Sequence, residues 1–253
     1  MSLTFDNVLD DAIVLYLENF AAFVAFINTE TGGGAGQYKV DLDMRQVTYL
    51  PKLVKRNEVV VPLHLAATLA AESNDVLWAW ANPKFGEAPV ARLSSRVREF
   101  GQQQGIDRFA TDSHPVPEGV DPGMYAIAIA ACACRITGMP VAQVLPHTNA
   151  QELSMQTVLL LDPANFRPPA PSSRAFAGLI GQTMSTGLVS DGRRAVQGYA
   201  QARGLPYRWA DGFTSIELAM PDGPLQVAFD EQGRPTVEES NSGGAGGGEE
   251  LGI

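Results

Sequence analysis

The run Asp75-Val76-Leu77-Trp78-Ala79-Trp80-Ala81-Asn82-Pro83 holds two of the three tryptophans in the chain, and it decides how the rest is read. Side chains two apart on a strand share a face. An extended segment therefore sets Val76, Trp78, Trp80 and Asn82 on one side and Leu77, Ala79 and Ala81 on the other. One face is large and the other small, which suits a strand packed closely on both sides. Pro83 biases Asn82 toward an extended conformation and cannot donate to a ladder, so the strand is expected to stop there. Burial of both indoles is favoured over exposure, and Trp80→Ala is then expected to cost about 3–5 kcal/mol. Asn82, at the strand end, is expected to plug nearby backbone or an indole N–H through its side chain.

Working outward, Asn7 to Asn28 has helical composition with acids at its start, and Gly32-Gly33-Gly34-Ala35-Gly36 ends it. Alternation at Tyr38, Val40 and Leu42, a polar turn, and Val47 to Leu50 predict a hairpin. Val59 to Leu65 is a β-rich run that Pro62 demotes to an edge or bulged strand, with a turn at Ser73-Asn74 before the tryptophans. Downstream, Leu93, Val97 and Phe100 predict an amphipathic helix closed by Gly105. Met124 to Thr137 is almost wholly apolar and predicts a central buried helix ending at Gly138, and Ser154 to Leu161 predicts a core strand. The proline run Arg167-Pro168-Pro169-Ala170-Pro171 is the strongest internal boundary. Beyond it, caps at Ser172-Ser173 and Ser190-Asp191 predict two helices, and Ile216 to Phe229 predicts a hairpin turning at Pro221-Asp222-Gly223.

The Leu77-Trp78-Ala79-Trp80-Ala81-Asn82 strand resembles the marker of a bacterial family catalogued as a domain of unknown function. In that family the marker follows a strand pair and precedes a helix, places held here by Tyr38 to Leu50 and Val90 to Gln104. The resemblance covers about Asn7 to about Gly138. It implies a bacterial cytoplasmic protein and carries no catalytic residue with it.

The 45% hydrophobic and 18% charged residues are ordinary for a globular fold with a sizeable core. A formal net charge of −10 argues against a nucleic-acid partner, which needs clustered Lys and Arg. Part of that acidity sits in Glu238, Glu239, Glu249 and Glu250, in a tail. The two cysteines, Cys132 and Cys134, are too few for a disulfide scaffold, no leader pattern precedes them, and a cytoplasmic location is expected. On a helix they point about 200° apart, so they read as small core residues and not as chelators. Ala12 to Ile27, interrupted by Glu18 and Asn19, is shorter than the roughly 20 residues of a membrane span and reads as a buried helix, so no membrane partner is expected.

Catalytic signals are weak. The Gly32–Gly36 run lacks the Lys-Ser/Thr of a phosphate loop and follows a helix, so it reads as a linker. His64, His114 and His147 show no metal-ligand spacing, and neither a metal nor a cofactor is expected. His114 and His147 lie in Pro-flanked segments that read as surface loops, where they could converge as acid and base. No nucleophile elbow, Walker sequence or kinase set occurs. Acidic pairs such as Asp10-Asp11 read as solvated charge.

The fold class expected is α+β: antiparallel sheet elements packed against several helices, with a C-terminal helix-helix-β-hairpin unit. The divisions are an α+β core over 1–166, that unit over 172–240, and a disordered Gly/Glu tail over 241–253. The function expected is non-enzymatic binding or interaction with a protein or small-molecule partner. The rival is an enzyme or small-molecule binder with a pocket beside the Trp strand. Trp78, Trp80, Asn82, Arg92, His114 and His147 are its candidate binding residues.

Overall fold

The structure, a computed structural model, describes residues 2–53, 55–70, 73–148 and 154–237. The tail over 241–253 lies outside them. The chain is α+β, with a seven-stranded and a four-stranded antiparallel sheet among the described residues.

Helix α1 (Phe5–Thr31) begins at a capping box in which Thr4 and Asn7 exchange side-chain and backbone hydrogen bonds. It ends where Gly32 adopts φ 69°, a left-handed cap that glycine takes without strain. The Gly32–Gly36 run resolves simply here: it is a helix stop before the hairpin β1 (Tyr38–Asp41) and β2 (Gln46–Tyr49). At 27 residues α1 is longer than its apolar core suggested and, by length and composition, could cross a membrane. In the fold it packs against three other helices, two of them α4 and α6 below.

Strand β3 (Val59–Ala70) corrects the edge-strand expectation. It is 12 residues long and central, pairing with β2, with β4 (Asp75–Trp78) and with β7 (Ser154–Leu161). Pro62 is accommodated because β7 pairing ends opposite Leu63: the Pro62 carbonyl takes the N–H of Asp162, while Leu63 donates to Arg45 on the other edge. The bulge is real and falls between Leu65 and Ala67. It frees the Ala66 carbonyl to accept the Ser94 hydroxyl at 2.8 Å, tying α2 (Arg92–Gln104) to the sheet.

After α2 come the single-turn α3 (Asp107–Ala110), β5 (Ser113–Pro115), which pairs with β4, and α4 (Pro122–Thr137), capped by the Asp121 side chain and closed by Gly138. Along α4, Ala126, Ala128 and the run from Ile129 to Ala133 are all fully buried, Cys132 among them, and Cys134 is nearly so. Strand β6 (Val141–Thr148), unforeseen in the sequence, forms the far edge on β7.

The C-terminal unit is α5 (Ser173–Ser185), α6 (Gly192–Arg203) and the sheet of β8 (Tyr207–Trp209), β9 (Ser215–Met220), β10 (Gly223–Phe229) and β11 (Pro235–Val237). Its caps are Ser172 and Asp191, as their residue types predict. Phe176, Val196, Tyr199, Ile216 and Val227 belong to the same apolar cluster as α1 and α4. A second cluster gathers Phe23 and Ile27 from the end of α1 with Tyr49, Leu63, Leu159 and Phe166.

Candidate functional site

The Trp run is strand for only half its length. Trp78 pairs with Ala67 as the last rung of the β3–β4 ladder, and Ala79–Ala81 then curl into a 3₁₀ turn. The turn closes because Asn82 accepts the Lys84 N–H through its side chain and the Gly86 N–H through its carbonyl. Gly86 sits so close to the Trp80 carbonyl that a Cβ there would stand 2.6 Å away, which no side chain permits. Trp78 and Trp80 therefore do not share a face. Trp78 is fully buried and donates its indole N–H to the Arg108 carbonyl at 2.9 Å. Trp80 is half-buried, with the Arg98 guanidinium 4.5 Å from its ring centre, a cation–π contact.

The two histidine candidates are far apart. His114 is on β5 and buried, not in a surface loop: its ring lies 6.1 Å from that of Trp78, and its Nε2 is 3.2 Å from the Tyr125 hydroxyl. Burial, aided by the charge of Arg108 and opposed by Asp75, lowers its pKa to about 4, so the imidazole is neutral at pH 7. His147 is exposed at the end of β6, in a strand and not a loop. The registers place His147, Met155, Ala70, Asp75 and Pro115 in one row across the sheet. That separates the two histidines by four strand spacings, about 19 Å, and they cannot act on one substrate atom.

Arg92 is exposed at the start of α2. Its neighbourhood holds a residue passed over in the sequence: His64, half-buried on β3, whose imidazole is kept below its usual range by burial first and then by Arg45, Arg92 and Arg96, with Asp162 acting in the opposite sense. Its Nδ1 is buried with no partner among the described residues. None of these three arginines forms an ion pair among the described residues.

The acids of α1, read as solvated, are structural. Asp10 is fully buried and accepts the Ser190 and Asp191 amides and the Ser190 hydroxyl; burial raises its pKa in spite of those donors. Asp11 pairs with Arg194 at 2.5 Å. Glu18 pairs with Arg203 at 3.1 Å and accepts the Tyr199 hydroxyl, and burial pushes its carboxyl up although Arg203 pulls it down. Two turns of α1 thus dock α6, and Gly198 brings the backbones together, since a Cβ there would lie 2.6 Å from the Asp11 Cα.

That docking opens a cleft of about 620 Å³ between the start of α1, α6 and the segment after β8. Trp209, the third tryptophan, and Phe213 form its aromatic wall, their rings 5.4 Å apart and edge to face. The Trp209 indole donates to Gln197 at 3.0 Å, leaving the Gln197 amide N–H₂ to the cleft, and Gln201 and Asn7 stand beside it. Phe213 is 61% exposed and holds φ 56°, a left-handed conformation that a bulky residue adopts only under constraint. Arg193 supplies the constraint, donating from Nε to the Phe213 carbonyl at 3.0 Å while its guanidinium covers Phe229. The sequence shows an aromatic at 213 after Asp-Gly, and nothing in that pattern signals its backbone conformation.

The chain belongs to a family of unknown function, DUF6882, which matches residues 6–163. The match extends past Gly138 to take in β6 and β7 and stops before α5. Neither the curated proteins nor the solved structures gave a match.

Proposed function

We propose that the protein is a non-enzymatic binding protein whose recognition site is the Trp209–Phe213 cleft. The observation that carries this reading is Phe213: an aromatic ring left in solvent on a strained backbone costs free energy twice and contributes no core packing in return. A cleft of about 620 Å³ falls within the size range of small-molecule sites. Ring faces beside the amides of Gln197, Gln201 and Asn7 suit a neutral, polar ligand with one flat face, such as a sugar or a nucleoside. Two buried free cysteines support a reducing compartment, and the resemblance of the Leu77–Asn82 run supports a bacterial, cytoplasmic setting. The test is a titration of the protein with a panel of neutral sugars and nucleosides, followed by tryptophan emission. Quenching by one class that disappears in Trp209→Phe and in Phe213→Gly is the expected result. A panel-wide failure, or quenching that survives both substitutions, overturns the reading.

A second reading turns to His64, whose Nδ1 is buried with no partner among the described residues. Arg45, Arg92 and Arg96 act together on that imidazole in a chain of net charge −10, which favours a small anion there. Inorganic phosphate is the probe. It is expected to raise the His64 pKa in an NMR titration, and no such shift in its presence removes this reading.

A further inference from the structure

Beside the acidic ladder of α1, a second cleft of about 200 Å³ opens between α1, the end of α4 and α6. Ala12, Leu15, Ala131, Met139 and Ala202 make its apolar walls. Small side chains on all three helices leave the space: an alanine lines it from each. The exposed Arg135 stands at its rim from the end of α4, and two polar groups line it from one stripe of α1. Tyr16 donates its hydroxyl proton to the Ala142 carbonyl at 3.3 Å, which leaves its oxygen lone pairs free to accept. Asn19 is 93% buried, 7% of its surface remaining, and its amide nitrogen is committed to the Pro140 carbonyl at 2.9 Å. That commitment fixes which end of the amide is which, because a carbonyl accepts only from nitrogen. The other end, Oδ1, is buried with no hydrogen-bond partner among the described residues. A buried acceptor left unpaired costs about 1–3 kcal/mol, so the site stores a preference for whatever brings a donor to it.

We infer that this cleft is a binding site for a compact, mainly apolar molecule carrying one O–H or N–H donor, the size of a phenol or an indole. Volume sets the size. An enclosed apolar cavity of about 150 Å³ accepts benzene, so about 200 Å³ of half-open cleft takes one ring and its substituent. Chemistry sets the donor: Asn19 Oδ1 and the Tyr16 oxygen both accept, and burial pushes the Tyr16 pKa up, so no anion forms there to repel the ligand or to demand a cation. The site is separate from the Trp209–Phe213 cleft and stands or falls without it.

Phenol and toluene are the probes, because they differ by the donor alone. Calorimetric titration of the full chain is expected to show phenol binding about fivefold or more tighter than toluene, the worth of one hydrogen bond. Ala202→Leu fills the cleft from a half-buried position and is expected to abolish binding of both. Asn19→Leu is expected to retain toluene and to erase the preference for phenol. If Asn19→Leu does not fold, the Ala202→Leu comparison decides alone. The inference is overturned by phenol binding weaker than about 10 mM, beyond the range of a fragment-sized site. It is equally overturned by equal affinity for the two probes, by binding that survives Ala202→Leu, or by a phenol preference that Asn19→Leu leaves intact.

Discussion

Asp10 on α1 accepts the hydroxyl of Ser190 at 2.6 Å, across 180 residues of chain. The same carboxylate takes the Ser190 and Asp191 amides, so one side chain holds the segment that leads into α6. Asp10→Ala leaves three donors without their acceptor and is expected to cost about 2–4 kcal/mol, whereas Ser190→Ala removes one donor and is expected to cost about 1 kcal/mol. Urea unfolding midpoints of the two variants check the ratio. Equal and small losses would mean that this junction does not hold the C-terminal unit to α1.

Gly198 has room for a hydrogen and nothing more against the Asp11 Cα. Gly198→Val is therefore expected to push α6 off α1 and to lower stability by about 2–3 kcal/mol or more, an overpacking cost. Because Arg194 and Arg203 reach α1 from the same helix, the Asp11 and Glu18 pairs should loosen with it. Thermal unfolding of Gly198→Ala and Gly198→Val gives a graded series if the contact is as tight as it stands.

The buried imidazole of His114 sets a pH dependence with a definite sign. Its folded pKa of about 4 lies below the usual 6.5, so the unfolded chain binds the extra proton first. Stability is complete above pH 6.5 and falls as pH drops toward 4, by about 3 kcal/mol at the limit. The measurement is the difference between wild type and His114→Gln across pH 7 to 4. If the two curves run parallel, the group is not titrating as its burial requires.

The two tryptophans of the opening run should separate cleanly. Trp78→Ala empties a fully buried site, loses the bond to Arg108, and is expected to cost about 3–5 kcal/mol. Trp80→Ala is expected to cost less, about 1–2 kcal/mol, because it surrenders a half-buried surface and one cation–π contact with Arg98. Reversal of that order in chemical denaturation would contradict the end of the strand at Trp78.

Phe213→Gly relieves a left-handed backbone and is expected to leave stability unchanged or to raise it by up to about 1 kcal/mol. A binding role predicts the combination of undiminished stability with lost recognition, the usual trade at a strained site. A loss above about 2 kcal/mol would place the ring among the structural residues instead.

Much of the architecture was legible because its signals are local. Gly138 closes α4 by residue type alone, and Ser172 and Asp191 open the two C-terminal helices in the same way. The Trp run misled at its second half because alternation cannot report where the partner strand ends; the β3–β4 pairing stops at Trp78 and the Asn82–Gly86 turn takes over. Strand β6 was hidden by Pro146 and by its position on an edge, where a proline is tolerated. The candidate site was hardly legible at all. His114 and His147 look equivalent in sequence and differ by the width of the sheet. The acids of α1 acquire their meaning from partners near residue 200, and the conformation of Phe213 from an arginine twenty residues before it.

The docking of α6 on α1 also has a history in time. Asp10 emerges from the ribosome 180 residues ahead of Ser190, a delay of roughly 10–35 s at ordinary rates of synthesis. For that interval a 27-residue apolar helix exists without its α6 cover, and among the charges that keep it hydrated are Asp10, which ends up buried, and Glu18, which ends up paired with Arg203. The newborn chain thus wears on its outside the groups that later fasten α6, and the larger apolar cluster closes only once α6 and the strands after it have been made.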